Sequence, residues 1–361
     1  MKNKTDNSDS YSFSESYEPN KDKRVYVDIY SSERKKAKRK KLLPIGRILS
    51  LIFFLIVGTI GVGMIHGYNT LHSVHYDDTY YENGCTTAEE VAEKDGLLND
   101  NMVLNVLLIG SDSMSTGDHG RSDSLLILSL NIRSKKIKIT SLMRDTWVNI
   151  PGFGRDRLNA SYAFGGPKLT IETIHKNFGV LIDRYACVDF EGFSKIIDSL
   201  GGIDIELTSK ESAYINKYSG DKNILKGSGV KHLTGLQALH HSRNRNSKGS
   251  DYDRTSRQRE VIKAVLETLK KSNVAKITEM VTTLAPFITT NFKTSEISRL
   301  VANCMVYLSY PLEEFRIPTD NNVRDATYDQ KMVLVINDIA KAKSDIKTFI
   351  YEDSELKDNN K

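Results

Sequence analysis

The fold is decided by an apolar run that a glycine ends, Val103-Leu104-Asn105-Val106-Leu107-Leu108-Ile109-Gly110. Such a run predicts a β-strand, and residues 124–130 predict a second strand that is apolar on both faces. A strand of that kind indicates a sheet covered on both sides. After a turn near 131–134, isoleucines and lysines alternate over 135–142, as in a half-exposed third strand.

These three strands bring four charged side chains to one edge of the predicted sheet. A turn centred at 132–133 places residue 123 beside residues 142–143, and an antiparallel first strand ends at the same edge. Two carboxylates and two guanidiniums then meet beside the glycine-rich loop 110–120: Asp112, Arg121, Asp123 and Arg144. Each residue alone is explained as well by a turn cap or a plain salt bridge, but the four together indicate a site.

Strands and helices alternate along the following residues, which predicts an α/β domain over 102–350. We expect a central mixed β-sheet with helices on both faces, a three-layer sandwich. The expected helices are 168–178, 190–200, 275–283, 294–308 and 328–342, and the further strands are 184–189, 203–207 and 314–317. The polar, glycine-rich segment 209–230 is interpreted as a loop or an insertion.

A second group of charges places five arginines in seventeen positions: Arg243, Arg245, Arg254, Arg257 and Arg259. Apolar residues at helical spacing follow, so about 254–271 predicts an amphipathic helix. Its apolar face extends back through Gln258, Arg257 and Arg254. Cations on a core-facing stripe need a charged partner, and planar bidentate donors suit a phosphate or pyrophosphate better than an acidic protein. The alternative is a solvated basic helix start.

The first hundred residues have a different composition. Residues 1–41 predict a disordered tail with twelve Lys and Arg and seven Asp and Glu, which leaves the chain after residue 65 close to neutral. Residues 42–65 are long enough to cross a hydrocarbon core of about 30 Å. The basic flank predicts a cytoplasmic N-terminus, and a cleaved signal peptide fits less well. A juxtamembrane stalk over 66–101 and a tail over 351–361 complete the chain. The net charge of +5 therefore indicates topology, and we expect no nucleic-acid partner.

Several motifs, in this order, resemble the LytR–CpsA–Psr family of membrane-anchored enzymes. They are Ile109-Gly110-Ser111-Asp112, Arg121-Ser122-Asp123-Ser124, Ser141-Leu142-Met143-Arg144-Asp145, Arg157-Leu158-Asn159-Ala160-Ser161-Tyr162, Val188-Asp189-Phe190, Leu200-Gly201-Gly202, and the run from Leu233 to Gln258. The chain differs from the family pattern at Met143, where proline is usual, and at Arg157, where lysine is frequent. Neither change removes a charged group.

The resemblance implies transfer of a phosphoglycosyl polymer from a polyprenyl-pyrophosphate lipid to a peptidoglycan hydroxyl, outside the cell membrane of a Gram-positive-type envelope. It also implies Mg²⁺, with Mn²⁺ as the alternative ion. We assign Asp112 and Asp123 to the metal, and one of the two, with Asp123 preferred over Asp112, to the base that deprotonates the acceptor. Six arginines and two glutamines would hold the phosphates or the sugar: Arg121, Arg144, Arg243, Arg245, Arg254, Arg257, Gln237 and Gln258. Arg144 also belongs to the expected catalytic group.

The prenyl tail requires a long apolar cavity, which we expect between the sheet and the helices of 168–200. Its lining cannot be read from the pattern, because Phe190, Phe193, Ile196 and Ile197 at helical spacing are more typical of a core. The polymer stays open between wall teichoic acid, capsule and another secondary wall glycan.

Other functions remain as alternatives to the ligase. The same residues would allow a pyrophosphatase that hydrolyses polyprenyl diphosphate, or a membrane-bound regulator without turnover. The histidines His232, His240 and His241 have no second cluster at metal spacing, so zinc is disfavoured. The three cysteines are too few for a disulfide framework, and we expect Cys187 and Cys304 to be buried thiols.

Overall fold

The computed structural model describes residues 75–76, 88–95, 97–112, 120–244 and 251–351. The predicted tail 1–41 and span 42–65 lie outside these ranges, as do most of the stalk and the tail after residue 351. Within the described ranges, none of the helices has both the length and the apolar composition needed to cross a bilayer.

The strands of the described residues, numbered in chain order, are β1 His75–Tyr76, β2 Val103–Ser111, β3 Ser122–Asn131, β4 Lys136–Leu142, β5 Trp147–Ile150, β6 Gly154–Arg157, β7 Arg184–Val188, β8 Ile203–Leu207, β9 Gly229–Leu233, β10 Thr289–Thr290, β11 Leu312–Ile317, β12 Val323–Tyr328 and β13 Lys331–Ile336. The helices are α1 Ala88–Asp95, α2 Leu158–Phe178, α3 Phe190–Ser199, α4 Ser209–Ser219, α5 Gly235–Arg243, α6 Asp251–Lys270, α7 Val274–Leu284, α8 Thr294–Ala302, α9 Cys304–Leu308 and α10 Ile339–Tyr351.

The central sheet is mixed and has the strand order β1-β10-β7-β2-β3-β4-β11. Strands β2, β3 and β4 are antiparallel neighbours, as the sequence predicts. Strand β7 then joins β2 in parallel, and β11 joins β4 in parallel. Three two-stranded antiparallel sheets outside the central sheet pair β5 with β6, β8 with β9 and β12 with β13.

Helices cover both faces of the sheet, so the predicted three-layer sandwich is confirmed. One face packs Leu107 and Ile127 against α2 and α10, with Ile174 and Ile346 at the centre. The other face carries Leu128 and Leu130, which pack with residues of α6 and α9. Because side chains alternate along a strand, each central strand supplies apolar residues to both layers, and this explains its continuous apolar run.

Helix α2 begins ten residues earlier than the prediction. Its first turns start at Leu158, and the chain kinks at Gly165 and Gly166 before Pro167. Gly166 has a φ of 61°, which residues with a Cβ rarely adopt. A Cβ at Gly165 would also lie 2.7 Å from that of Leu169. The glycines therefore allow two helical pieces to join where the sequence suggests a break.

Two further predictions are wrong, and a third is only partly right. The segment 328–342 is expected to be helical, but it contains the last residue of β12, a turn, all of β13 and the start of α10. Asp329 and Gln330 adopt positive φ values of 49° and 61°, which is the backbone of a tight hairpin turn. The expected loop 209–230 contains helix α4, whose capping box joins Thr208 and Glu211. The expected helix 294–308 is interrupted at Asn303.

Candidate functional site

The predicted meeting of charges occurs where β2 ends and β3 begins. Asp112 follows β2, and its Oδ1 accepts a 2.7 Å hydrogen bond from the backbone N–H of Arg121. The backbone N–H of Asp112 in turn donates to the Arg121 carbonyl at 3.3 Å. Both residues are exposed at the rim of the sheet. This contact holds Asp112 beside Arg121, at the start of β3. Arg121 is two residues before Asp123.

Asp123 lies between two guanidiniums. Its Oδ1 accepts a 2.6 Å hydrogen bond from Nη1 of Arg144 and lies 3.9 Å from Nη1 of Arg254. Arg254 is only 4% exposed, so the prediction that this arginine continues the core-facing stripe of its helix is confirmed. Gln258, one turn further along α6, donates its amide N–H to the Asp123 carbonyl at 3.3 Å. The sheet edge and the helix start are thus joined around one carboxylate.

A second carboxylate, that of Asp145, lies close to the guanidinium of Arg144. Asp145 Oδ2 lies 3.5 Å from Nε of Arg144, and Asp145 Oδ1 lies 3.5 Å from Nη1 of Arg157. Arg157 also donates from Nη2 to the Met332 carbonyl on the β12–β13 hairpin at 2.7 Å. The sequence motifs include Asp145 and Arg157, but a role in orienting Arg144 depends on the hairpin that the sequence did not predict.

An apolar cavity of about 290 Å³ opens onto this charged cluster. It lies between the sheet and helices α3, α5 and α6, and its wall includes Phe190, Phe193, Ile196, Val261 and Ile262. The polar residues Asp123, Arg243 and Gln258 belong to the same lining. The guanidinium carbon of Arg243 is 4.2 Å from the centre of the Phe190 ring, a cation–π contact.

The expected position of the cavity is only half right. Helix α3 lines it, but the 168–178 part of α2 packs on the opposite face of the sheet. Phe190, Phe193, Ile196 and Ile197 form part of the lining rather than only a core. Helical spacing alone does not distinguish these two cases, because a cavity wall and a core have the same periodicity.

Two predicted phosphate ligands are not brought to this cluster. Arg257 donates from Nε to Glu211 at 3.0 Å and from Nη1 to the Asn244 carbonyl at 2.9 Å. Gln237 is fully buried and its amide is used in the cap of α5, where it accepts from the Thr234 N–H and donates to the Asn223 carbonyl. Arg245 lies outside the described residues.

The predicted metal site depends on carboxylate oxygens at the edge of the sheet. Magnesium prefers oxygen ligands and is commonly held by one or two carboxylates together with substrate phosphates. Asp112 and Asp123 offer such oxygens at one edge, so the residues fit the ion. The part of the chain that the structure describes has no cluster of three or more His, Cys, Asp or Glu arranged for a metal.

The remaining candidate residues have structural environments. His232 is hydrogen-bonded to Asp204 and to the Gly201 carbonyl, which raises its pKa. Cys187 is a buried thiol, as expected, and burial raises its pKa to about 11. Cys304 is only partly buried, so that prediction is wrong. Cys85 lies outside the described residues.

Comparison with known proteins agrees with the fold and with the motifs. Residues 64–344 match the LytR_cpsA_psr family, and the chain belongs to this family. It is 32% identical to the polyisoprenyl-teichoic acid–peptidoglycan teichoic acid transferase TagU of Oceanobacillus iheyensis over 291 residues, which are 76% of this chain and 85% of that protein.

Two other relatives bear on the interpretation. The chain is 30% identical to the regulatory protein MsrR of Staphylococcus aureus over 300 residues, 81% of this chain and 86% of that protein. The crystal structure of Bacillus subtilis TagV superposes with a TM-score of 0.57 and 26% identity, covering 70% of this chain and 98% of that chain. One family therefore contains proteins named as transferases and proteins named as regulators.

Proposed function

We propose that this protein is a membrane-anchored phosphotransferase that moves a phosphoglycosyl polymer from a polyprenyl-pyrophosphate lipid to a hydroxyl of peptidoglycan. The observation that carries the proposal is the joining of an apolar cavity to a cluster of guanidiniums and carboxylates. A prenyl diphosphate has the same two parts, an apolar chain and a compact double anion.

The donor would bind with its chain in the cavity and its diphosphate at the charged mouth. Arg144, Arg243 and Arg254 supply planar cationic donors there, and such donors pair with phosphate oxygens in a bidentate manner. The acceptor oxygen attacks the phosphorus that carries the sugar, a phosphodiester forms, and polyprenyl phosphate leaves. The same arginines stabilise the charge that develops on the leaving phosphate.

Asp123 is the proposed general base. Its carboxylate lies at the cavity mouth and is oriented by Arg144 at 2.6 Å, so it can accept the proton of an acceptor hydroxyl. Asp112 and Asp123 would hold Mg²⁺, or Mn²⁺ in its place, through their carboxylate oxygens. When bound, the ion supplies a Lewis acid for the diphosphate.

The cellular position is part of the same proposal. The predicted span 42–65, with its basic N-terminal flank, would anchor the enzyme with the domain of 102–350 outside the cell. A relative named as a teichoic acid transferase makes wall teichoic acid the first polymer to test. Capsule and other secondary wall glycans are the next.

The test uses the full-length protein in detergent micelles with a polyprenyl-diphosphate-linked glycan. Release of polyprenyl phosphate is measured with and without Mg²⁺ and with and without peptidoglycan, for the wild type and Asp123→Ala. Release that needs both the acceptor and Asp123 supports the ligase. Release without acceptor would instead identify the pyrophosphatase that uses water as the nucleophile.

A second candidate function is that of a membrane-bound regulator, because a relative of similar coverage is named a regulatory protein. Deleting residues 1–40 while keeping the span separates the two. A correctly inserted deletion protein that still transfers polymer and keeps the cellular phenotype supports the ligase. Loss of the cellular phenotype with transfer intact in vitro would support regulation through the tail.

A further inference from the structure

We infer that a groove beside helix α4 binds the peptidoglycan strand that accepts the polymer, an inference that rests on the proposed function. The groove has a volume of about 900 Å³ and is distinct from the apolar cavity. Its lining comes from three places: the turn before α4 together with α4 itself, Asn244 after α5, and the first turns of α6. No residue of the groove is among those lining the cavity.

An aromatic surface forms one wall of the groove. Tyr214 and Tyr218 lie one turn apart on α4, with ring centres 4.6 Å apart and planes inclined at 43°. Tyr218 is 46% exposed, and the ammonium of Lys217 lies 5.0 Å from the centre of its ring. Aromatic rings combine an apolar face with a polar edge, and the C–H faces of pyranose sugars pack well on such surfaces.

Polar groups complete the lining. Lys210, Lys217 and Asp253 contribute charged residues, and the buried Asn244 also borders the groove. Glu211 and Arg257 form an ion pair at 3.0 Å between α4 and α6. A pocket with aromatic walls and a few converging polar groups is typical of ligand sites, and this combination suits a chain of sugars with hydroxyl and amide substituents.

The charge of the groove favours the acceptor over the donor polymer. Its lining holds three cations and two carboxylates, so the net charge is close to neutral, and Arg257 is already paired with Glu211. A polyanion such as a teichoic acid gains little from a surface of this kind. An uncharged glycan strand with an occasional carboxylate matches it.

The position of the groove suits an attacking group. Asp253 and Arg257 on α6 line the groove, whereas Arg254 beside them points to Asp123 at 3.9 Å. In phosphoryl transfer the attacking and leaving oxygens are roughly in line across the phosphorus. Because the leaving polyprenyl phosphate belongs to the cavity, the acceptor must approach from another side, and the groove borders the first turns of α6 whereas the cavity borders residues 258–265.

The test compares Tyr218→Ala and Tyr218→Phe in the full-length protein in detergent. The probe is an uncross-linked peptidoglycan strand of alternating N-acetylglucosamine and N-acetylmuramic acid, and its binding is measured by calorimetry without donor. Phe153→Ala is the matched control, because Phe153 is 57% exposed and lies outside the groove. We expect about tenfold weaker strand binding for Tyr218→Ala and binding within twofold of wild type for the other two variants.

Steady-state transfer is measured with the same proteins. For Tyr218→Ala we expect the KM for the acceptor to rise about tenfold, with kcat and the KM for the lipid donor within twofold. A rise in the donor KM instead would assign the groove to the donor glycan and overturn the inference. Equal effects of Phe153→Ala, or no strand binding by the wild type, would also overturn it.

The measurements distinguish failure of the proposed groove from failure of the proposed ligase activity. Transfer activity together with strand binding that is insensitive to Tyr218 refutes the groove and leaves the ligase intact. Strand binding that depends on Tyr218 in a protein without transfer refutes the ligase and leaves the groove as a peptidoglycan-binding site.

Discussion

Replacing Asp123 by Asn should stop transfer and, without metal, tighten donor binding. Asparagine keeps the shape of the side chain and can still accept the hydrogen bond from Arg144 at 2.6 Å. It removes a negative charge that neutralises part of the positive charge of Arg144 and Arg254. The guanidiniums are then available to the diphosphate, while the base of the proposed mechanism is lost.

The size of the binding effect follows from the distances. One unit charge about 4 Å from another contributes about 4 kcal/mol at an effective dielectric constant of about 20, and Arg254 lies 3.9 Å from Asp123. The Asp123 side chain is 24% exposed, so solvent and salt reduce this value. We expect donor binding to become about tenfold tighter, which corresponds to about 1.4 kcal/mol.

The assay measures donor affinity in EDTA and in Mg²⁺ with the full-length protein in detergent. In EDTA, Asp123→Asn should bind the lipid diphosphate more tightly than wild type. Added Mg²⁺ should strengthen binding by wild type and have little effect on the variant, because one metal ligand is missing. Transfer should fall about 10²- to 10⁴-fold with loss of the base.

The control is Asp156→Asn, which removes the same charge from a carboxylate paired with Lys331 at 2.7 Å. Its donor affinity should stay within twofold of wild type. Weaker metal-free binding by Asp123→Asn would show that Asp123 contacts the donor directly. More than a tenth of wild-type transfer in that variant would refute its role as the base.

Three further predictions concern other residues. Gln237→Ala should lower the free energy of unfolding by about 1–3 kcal/mol, because it leaves buried polar groups of the α5 cap unsatisfied. Donor affinity should not change. Denaturant unfolding and lipid-binding measurements check the two expectations. Ile262→Trp should fill part of the cavity and weaken binding of a long prenyl diphosphate about tenfold, while inorganic pyrophosphate binds as before. Burial raises the pKa of Glu296, but hydrogen bonds from Arg184 and the Lys293 N–H outweigh it and hold the pKa below its ordinary value of 4.5. The ion pair between Arg184 and Glu296 stabilises the fold above pH 4.5, and this stabilisation is lost as the pH falls through the lowered pKa. The free energy of unfolding of Glu296→Gln should therefore depend less on pH in the acid range, and unfolding followed by Trp147 fluorescence measures this.

The reaction edge was predictable because its determinants are local. The length of the turn after β3 and the alternation of side chains set the register of β3 and β4. That register places Asp123 near Arg144, and the structure brings them within 2.6 Å. The stripe on α6 is equally local, since positions 254 and 257 follow from 3.6 residues per turn.

The errors arose where a distant partner decides the conformation. The run Met332–Ile336 is apolar and short, which fits either a strand or part of a helix. It is a strand because β12 pairs with it, and because Leu334 forms a bridge with Thr146 before β5. The segment 209–219 is polar enough to suggest a loop, yet Tyr214 and Ile215 pack in the cluster that covers α3, α5 and α6.

The α/β class, the order of the central strands β2–β4 and the charged edge follow from the sequence, because period, turn length and residue type are properties of neighbouring positions. The partner that each arginine meets depends instead on contacts between distant segments. Arg254 faces Asp123, whereas Arg257, one turn later on the same stripe, meets Glu211. Glu211 is brought there by a helix 46 residues earlier in the chain, and no local pattern encodes that contact. The apolar cavity has the same origin, because it is a gap between layers whose walls look like a core in the sequence.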